Sequence, residues 1–120
     1  PCPHCKITII KRSNNESAVS AAAYQSGEKL FSEYDQEQKY YPYKNEVTHK
    51  EIMLPPHVPP EYADRNTLWN SAEAQEKQWN SQLARRFVLA IPREIPPEQY
   101  ADLLRDYCRE FFVSKGMIAD

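Results

Sequence analysis

One tyrosine stands in a run of small side chains, Ser17-Ala18-Val19-Ser20-Ala21-Ala22-Ala23-Tyr24-Gln25-Ser26-Gly27, and no other residue of the sequence has a clearer capacity for chemistry. Alanine is the strongest helix former, so the run predicts a helix. The lack of bulk around the ring lets another backbone, protein or nucleic acid, come close. A phenol presented in this way serves as an anchor or as a nucleophile. Its reference pKa is near ~10, so at neutral pH it is mostly protonated and nucleophilic use requires a cation or base beside it. Lys6, Lys11, Arg12 and Lys29 lie close in sequence, whereas acids gather at Glu33, Asp35 and Glu37 and again at Asp102, Asp106 and Glu110. The N-terminal third is therefore the part suited to contact phosphate.

The second chemical pattern is Cys2-Pro3-His4-Cys5, which has the spacing of a redox pair or of half a zinc site. A redox pair needs a helix N-terminus directly after it to stabilise the thiolate, but Ile7-Thr8-Ile9-Ile10 is β-branched and strand-like. No second C-x-x-C and no histidine pair completes a zinc site. With Cys108 the cysteine count is three, an odd number in a chain without an export signal, so free thiols and a plain strand start are expected.

The elements that must position Tyr24 follow from length and patterning. At 120 residues the chain has the size of one domain, 1–120, with 41% apolar and 27% charged residues. No apolar run approaches the roughly 20 residues of a membrane span, and a cytoplasmic protein without membrane partners is expected. A net charge of −2 argues against coating nucleic acid by bulk electrostatics and leaves room for a local basic face. Alternation over 5–11, with Ile7 and Ile9 set against Lys6 and Thr8, predicts a half-buried strand. Asn15 or Ser17 can cap a helix running to Ser26, and Gly27 sits where a left-handed C-terminal residue belongs.

Residues 33–44 are polar and tyrosine-rich, with Tyr34, Tyr40, Tyr41 and Tyr43 around Pro42, and read as a loop entering an edge strand. A strand over 46–54 is stopped by Pro55-Pro56. Asp64 or Asn66 can cap a helix through Leu68, Trp69, Ala72, Glu76 and Trp79, whose aromatic stripe suits a core. Residues 83–91 turn β-like, 97–115 show helical spacing that closes at Gly116, and 117–120 look like a strand just starting. The order β-α-β-β-α-β-α predicts an α+β fold, a mainly antiparallel sheet packed with helices. A sheet that lacks closing strands would leave an edge open to pairing, including self-association.

The segment 17–30 resembles the N-terminal tyrosine motif of the MobA/MobL family of plasmid mobilisation relaxases. Further stretches agree in order and spacing: His49-Lys50-Glu51-Ile52-Met53-Leu54-Pro55, Asp64-Arg65-Asn66-Thr67-Leu68-Trp69-Asn70, Asn80-Ser81-Gln82-Leu83-Ala84-Arg85 with Leu89-Ala90-Ile91-Pro92, and Gly116-Met117-Ile118-Ala119-Asp120. The resemblance covers essentially the whole chain and implies the N-terminal part of an HUH-type relaxase nuclease domain. It further implies a site-specific transesterase that nicks single-stranded DNA at a transfer origin, with Tyr24 attacking the scissile phosphodiester and staying joined to the 5′ end.

In that family a divalent metal sits on histidines of the strands that follow Gly-Met-x-x-Asp. The sequence ends at Asp120, and His4, His49 and His57 form no H-x-H pair. The expectation is therefore the nucleophile half of the domain, no metal site of its own, and little nicking by this chain alone. His4 falls at the family's N-terminal strand histidine and is expected to border the site or to end a strand. His49 and His57 are expected in strand and loop. Arg86 stands where many members carry a glutamate, which exchanges an acid for a base. Lys6, Arg12, Lys29, Arg85 and Arg86 are the candidate phosphate contacts. Two other readings use the same residues: a non-catalytic single-stranded DNA-binding or accessory module with Tyr24 as a stacking platform, and an interaction domain with Tyr24 packed in its core.

Overall fold

A computed structural model describes residues 5–42 and 47–120. Cys2, His4 and Tyr43 lie outside the described residues, and so does the first residue of the expected 46–54 strand. The elements are β1 (Cys5–Lys11), α1 (Ala18–Ser26), β2 (Leu30–Ser32), β3 (Glu37–Lys39), α2 (Arg65–Gln75), β4 (Gln82–Leu89) and α3 (Tyr100–Phe111). The fold class is α+β with antiparallel pairing throughout these strands: β1 with β4, and β2 with β3 as a hairpin. No helix among the described residues is long and apolar enough to cross a membrane.

The β1–β4 ladder sets Ile10 against Ala84, Thr8 against Arg86 and Ile7 against Phe87, with a bulge between Ile10 and Lys11. Lys11 faces Gln82, so Leu83 is the extra residue, and the bulge lets it join Ile10 and Ala18 in one buried cluster. This corrects the expected facing of the strand. Ile7 is 57% exposed and Ile9 37%, while Ile10 is buried. The helices pack on the face of Ile10, so alternation was present and its buried side was the other one. A second cluster joins Val19, Ala22 and Ala23 of α1 to Leu30, and Trp69 of α2 packs against both clusters.

The middle of the chain differs from expectation while keeping the same order of letters. Among the described residues the two strands between α1 and α2 are the short hairpin β2–β3, not an edge strand entered from a 33–44 loop and followed by a 46–54 strand. Asn66 Oδ1 accepts from Phe31 N at 2.8 Å, and Asn70 accepts from Glu33 N and donates to Phe31 O, both at 2.8 Å. Two asparagines one turn apart on α2 thus satisfy the hairpin's outer edge. Within 47–54, by contrast, β pairing is limited to Met53, which exchanges both backbone bonds with Ala119 at 2.8 and 3.1 Å. The start of a strand expected at 117–120 is this bridge.

Helix α2 begins at an Asp64 cap, whose carboxylate accepts from Thr67 N and Thr67 Oγ1. Those bonds hold the Asp64 carboxyl below its usual range. The helix stops at Gln75, short of Trp79, where Glu76 turns extended, and the Arg12 guanidinium takes up carbonyls at and past this end: Glu73 O at 2.9 Å, Glu76 O at 2.6 Å and Gln78 O at 3.2 Å. Trp79 is consequently exposed, not part of a core stripe. The expected 97–115 helix is three pieces, with α3 flanked by single 3₁₀ turns at Pro97–Gln99 and Val113–Lys115 and closed by Gly116 at φ 88°. Phe112 packs on Phe87 with ring centroids 4.9 Å apart, which anchors the end of α3 to β4.

Candidate functional site

Helix α1 carries Tyr24, and both of its ends are fixed by identifiable bonds. At the N-terminus Ser17 Oγ accepts from Ser20 N at 3.2 Å. Glu73, reaching across from α2, accepts with one oxygen from Ser17 Oγ at 2.7 Å, Ala18 N at 2.6 Å and Val19 N at 3.3 Å. A carboxylate at a helix N-terminus satisfies orphan donors and complements the helix dipole. At the other end Gly27 adopts φ 75° and donates to Ala23 O at 3.0 Å. Ala18, Val19, Ala22 and Ala23 are buried by the two clusters, which turns the remaining stripe outward.

Tyr24 lies on that stripe, one turn past Ser20 and two past Ser17. It is 39% exposed, so it is not a sealed core residue. Its ring meets Tyr41 edge-on, with centroids 5.6 Å apart and planes at 73°. Tyr41 itself packs against the Val19 cluster, and the neighbouring Tyr40 ring lies under Lys29 Nζ at 5.2 Å. Tyr24, the post-helix Lys29 and the 40–41 tyrosines therefore form one exposed surface at the C-terminal end of α1.

Beside it runs a largely apolar groove of about 570 Å³ lined by Gln25 and Ser26 of α1, by Arg85 and Arg86 of β4, and by the ion-paired Lys50, Arg65 and Arg105 with Glu51 and Asp120. Arg85 projects from β4 opposite Ile9 and donates to the Met117 sulfur at 3.3 Å. Arg86 is half-buried, and its Nε is enclosed without a hydrogen-bond partner among the described residues. Lys6 is exposed on β1 across from Val88. Arg12 has a different use from the one expected. It is buried at the opposite end of α1, with its donors on α2 carbonyls and its guanidinium 4.6 Å from the Tyr34 ring centroid, which removes it from the phosphate candidates.

His49 bonds Glu51 at 3.0 Å, and His57 lies beside Gly116. Arg105 grips Glu51 through both Nε and Nη2, and this contact, helped by His49, lowers the Glu51 pKa to about 2. Cys5 and Cys108 are free thiols, with Cys108 pushed up by burial and by Glu51. No group of three His, Cys, Asp or Glu side chains among the described residues could hold a metal ion.

Three residues that the sequence did not single out are central to this geometry. Glu73 fixes the start of the Tyr24 helix, and Arg65 with Asp120 ties its exit to the end of the described chain. Asp64-Arg65 and Ala119-Asp120 both lie in stretches that resemble the MobA/MobL pattern, a signal available without the structure. Glu73 had none.

Against known proteins, the profile of the MobA/MobL family matches residues 16–120. The chain belongs to the MobA/MobL family. Its relatives include the "Conjugal transfer protein TraA" of Agrobacterium fabrum, 36% identical over 98% of this chain and 12% of the relative, and the "Mobilization protein MobL" of Acidithiobacillus ferridurans, 33% identical over 98% of this chain and 30% of the relative. A chain from the solved structure described as "Molecular Basis of Vancomycin Resistance Transfer in Staphylococcus aureus" shares 27% identity and a TM-score of 0.89, covering 98% of this chain and 60% of its own length. This MobA/MobL chain thus spans between about an eighth and a third of the curated relatives it matches.

Proposed function

We propose that this MobA/MobL chain acts in plasmid mobilisation and supplies the nucleophile of a single-stranded DNA transesterase at a transfer origin. The observation that carries the reading is Tyr24 itself: an exposed phenol on a helix of small residues, anchored at both ends, beside a groove whose wall includes Arg85 and Arg86. In the proposed step Tyr24 Oη forms a bond to the scissile phosphorus, and the bond from phosphorus to the 3′ oxygen breaks. The phenolic proton leaves to solvent and the 3′ oxygen takes one up. The result is a 5′-phosphotyrosyl link and a free 3′ hydroxyl, a balanced exchange of one phosphoester for another.

Lys29, Arg85, Arg86 and Lys6 are the side chains we assign to phosphate. Cations positioned on the backbone fix the strand without reading its sequence and favour the charge that builds up at the reacting phosphoryl group. The divalent metal expected of the full domain finds no set of three ligands among the described residues.

The test compares wild type with Tyr24→Phe, in the longest polypeptide of the parent gene, on overlapping fluorescent single strands covering the DNA of the element that encodes it. A denaturant-stable protein–DNA adduct that disappears in the variant is expected. An adduct that persists in Tyr24→Phe sinks the nucleophile assignment. The exposed Tyr34 and Tyr40 favour a second reading, non-catalytic single-strand binding by stacking, and a variant that loses affinity where wild type makes no adduct would support it.

A further inference from the structure

Arg65, the first residue of α2 and only 8% exposed, spends its guanidinium on two carboxylates from different parts of the chain. Its Nε and Nη2 donate to the two oxygens of Asp120 at 2.8 and 2.6 Å, and its Nη1 donates to Glu28. Lys50 pairs with the same Glu28 oxygen at 2.8 Å, and Trp69 Nε1 donates to Asp120 at 2.8 Å. One guanidinium therefore joins α2, the loop that leaves α1 and the segment after α3, while Lys50 brings in the stretch whose Met53 bridges Ala119. Burying such charges is a weak source of stability, because desolvation offsets most of the attraction. What a planar fork with two carboxylates does supply is a fixed geometry.

Glu28 is the key to what that geometry controls. It lies four residues after Tyr24 and directly after the left-handed Gly27 that ends α1. The opposite end of the helix is held separately by Glu73. The Arg65–Glu28 pair thus sets how the Tyr24 end of α1 sits relative to the 117–120 segment and to the groove that both Arg65 and Asp120 line. We propose that Arg65 is a positioning residue for Tyr24, acting through Glu28, with Asp120 fixing the orientation of the guanidinium. This rests on Tyr24 being the nucleophile. A displacement of about 1 Å of a reacting group costs up to about a hundredfold in rate without requiring any change in affinity.

The experiment uses the same parent polypeptide and tiled fluorescent strands, and measures the adduct-forming rate at saturating DNA separately from the dissociation constant. Arg65→Lys keeps the charge and loses the fork, and it is expected to slow adduct formation about ten- to a hundredfold with the dissociation constant within about twofold. Glu28→Gln is expected to slow it less, and the double variant is expected to be no slower than Arg65→Lys alone, because both act through one contact. Glu28 is a partly exposed loop residue, so its variant decides the matter if Arg65→Lys does not fold. Unchanged rates in folded variants, or losses accounted for entirely by weaker binding, overturn the proposal. If Tyr24→Phe abolishes the adduct while these variants leave its rate intact, only the positioning role fails. If Tyr24→Phe retains the adduct, the underlying nucleophile reading fails instead.

Discussion

Removing the Glu73 carboxylate should loosen the helix that presents Tyr24, and the structure sets the size of the effect. One Glu73 oxygen serves three donors, Ser17 Oγ, Ala18 N and Val19 N. Ala18 and Val19 are 2% and 0% exposed, so water does not readily replace what is lost. An unsatisfied buried donor costs about 1–3 kcal/mol, and the 3.3 Å bond to Val19 belongs at the low end of that range. Working against this, the second Glu73 oxygen is enclosed without a partner, and its removal returns on the order of 1 kcal/mol. Glu73→Ala should therefore destabilise by about 3 kcal/mol, a large fraction of the 5–15 kcal/mol typical of a domain. Glu73→Gln keeps an acceptor and loses the charge at the helix N-terminus, for about 1 kcal/mol. Equilibrium urea unfolding followed by far-ultraviolet circular dichroism reads both as midpoint shifts at constant slope. If Ala and Gln cost the same, within about 0.5 kcal/mol, the carboxylate is not capping the helix as described.

Two further outcomes follow from the ladder and from the charges. Ile10→Ala should cost about 2–4 kcal/mol, whereas Ile7→Ala, at 57% exposure, should cost less than about 1, and a reversed ranking in the same unfolding assay would show that the buried face of β1 has been misassigned. Glu51 has its folded-state pKa lowered to about 2 from 4.5 by Arg105 and then His49, so its contribution is present above about 4.5 and is lost as pH falls toward 2. Thermal stability of wild type should therefore drop more steeply across that window than that of Glu51→Gln, with the difference shrinking in high salt because the pair is solvent-accessible; parallel curves would remove the ion pair from the account.

The parts of the fold that were legible in the sequence are those whose cause lies within a few residues. Ser17 and Gly27 bracket α1 because a hydroxyl cap and a left-handed terminus are local demands. Asp64 starts α2 for the same reason. The β-branched run at β1 also showed its period, but period alone does not say which side is buried. That was decided by the side on which Ala18 of α1, Trp69 of α2 and Leu83 of β4 pack, the last of them more than seventy residues away. The hairpin was invisible because its turn contains no glycine: Gln36 takes φ 56°, and the outer strand is satisfied by Asn66 and Asn70 from a helix not yet formed in sequence order. Trp79 was assigned to α2 by spacing, and the arginine bonded to the carbonyls where the helix ends before it comes from the other end of the chain.

The same division applies to the site. Tyr24 stands out from its neighbours as a candidate, since small residues around one aromatic ring are a pattern along a single helix. The residues that give the ring its setting come from elsewhere: Tyr41 from beyond the hairpin, Glu73 and Arg65 from α2, Asp120 from the end of the described chain. Arg12 shows why proximity in sequence misled. It is twelve residues from Tyr24, but α1 carries the tyrosine on the order of 10 Å along its axis from Ser17, and Arg12 remains at the far end closing α2. A cation chosen by sequence distance became a structural cap, and a cation with no such claim, Arg65, is bonded to the loop that follows the tyrosine. If Tyr24 is the nucleophile proposed above, its rate depends on ångström-scale placement, and the supporting ion pairs then belong to the chemistry as much as the phenol does.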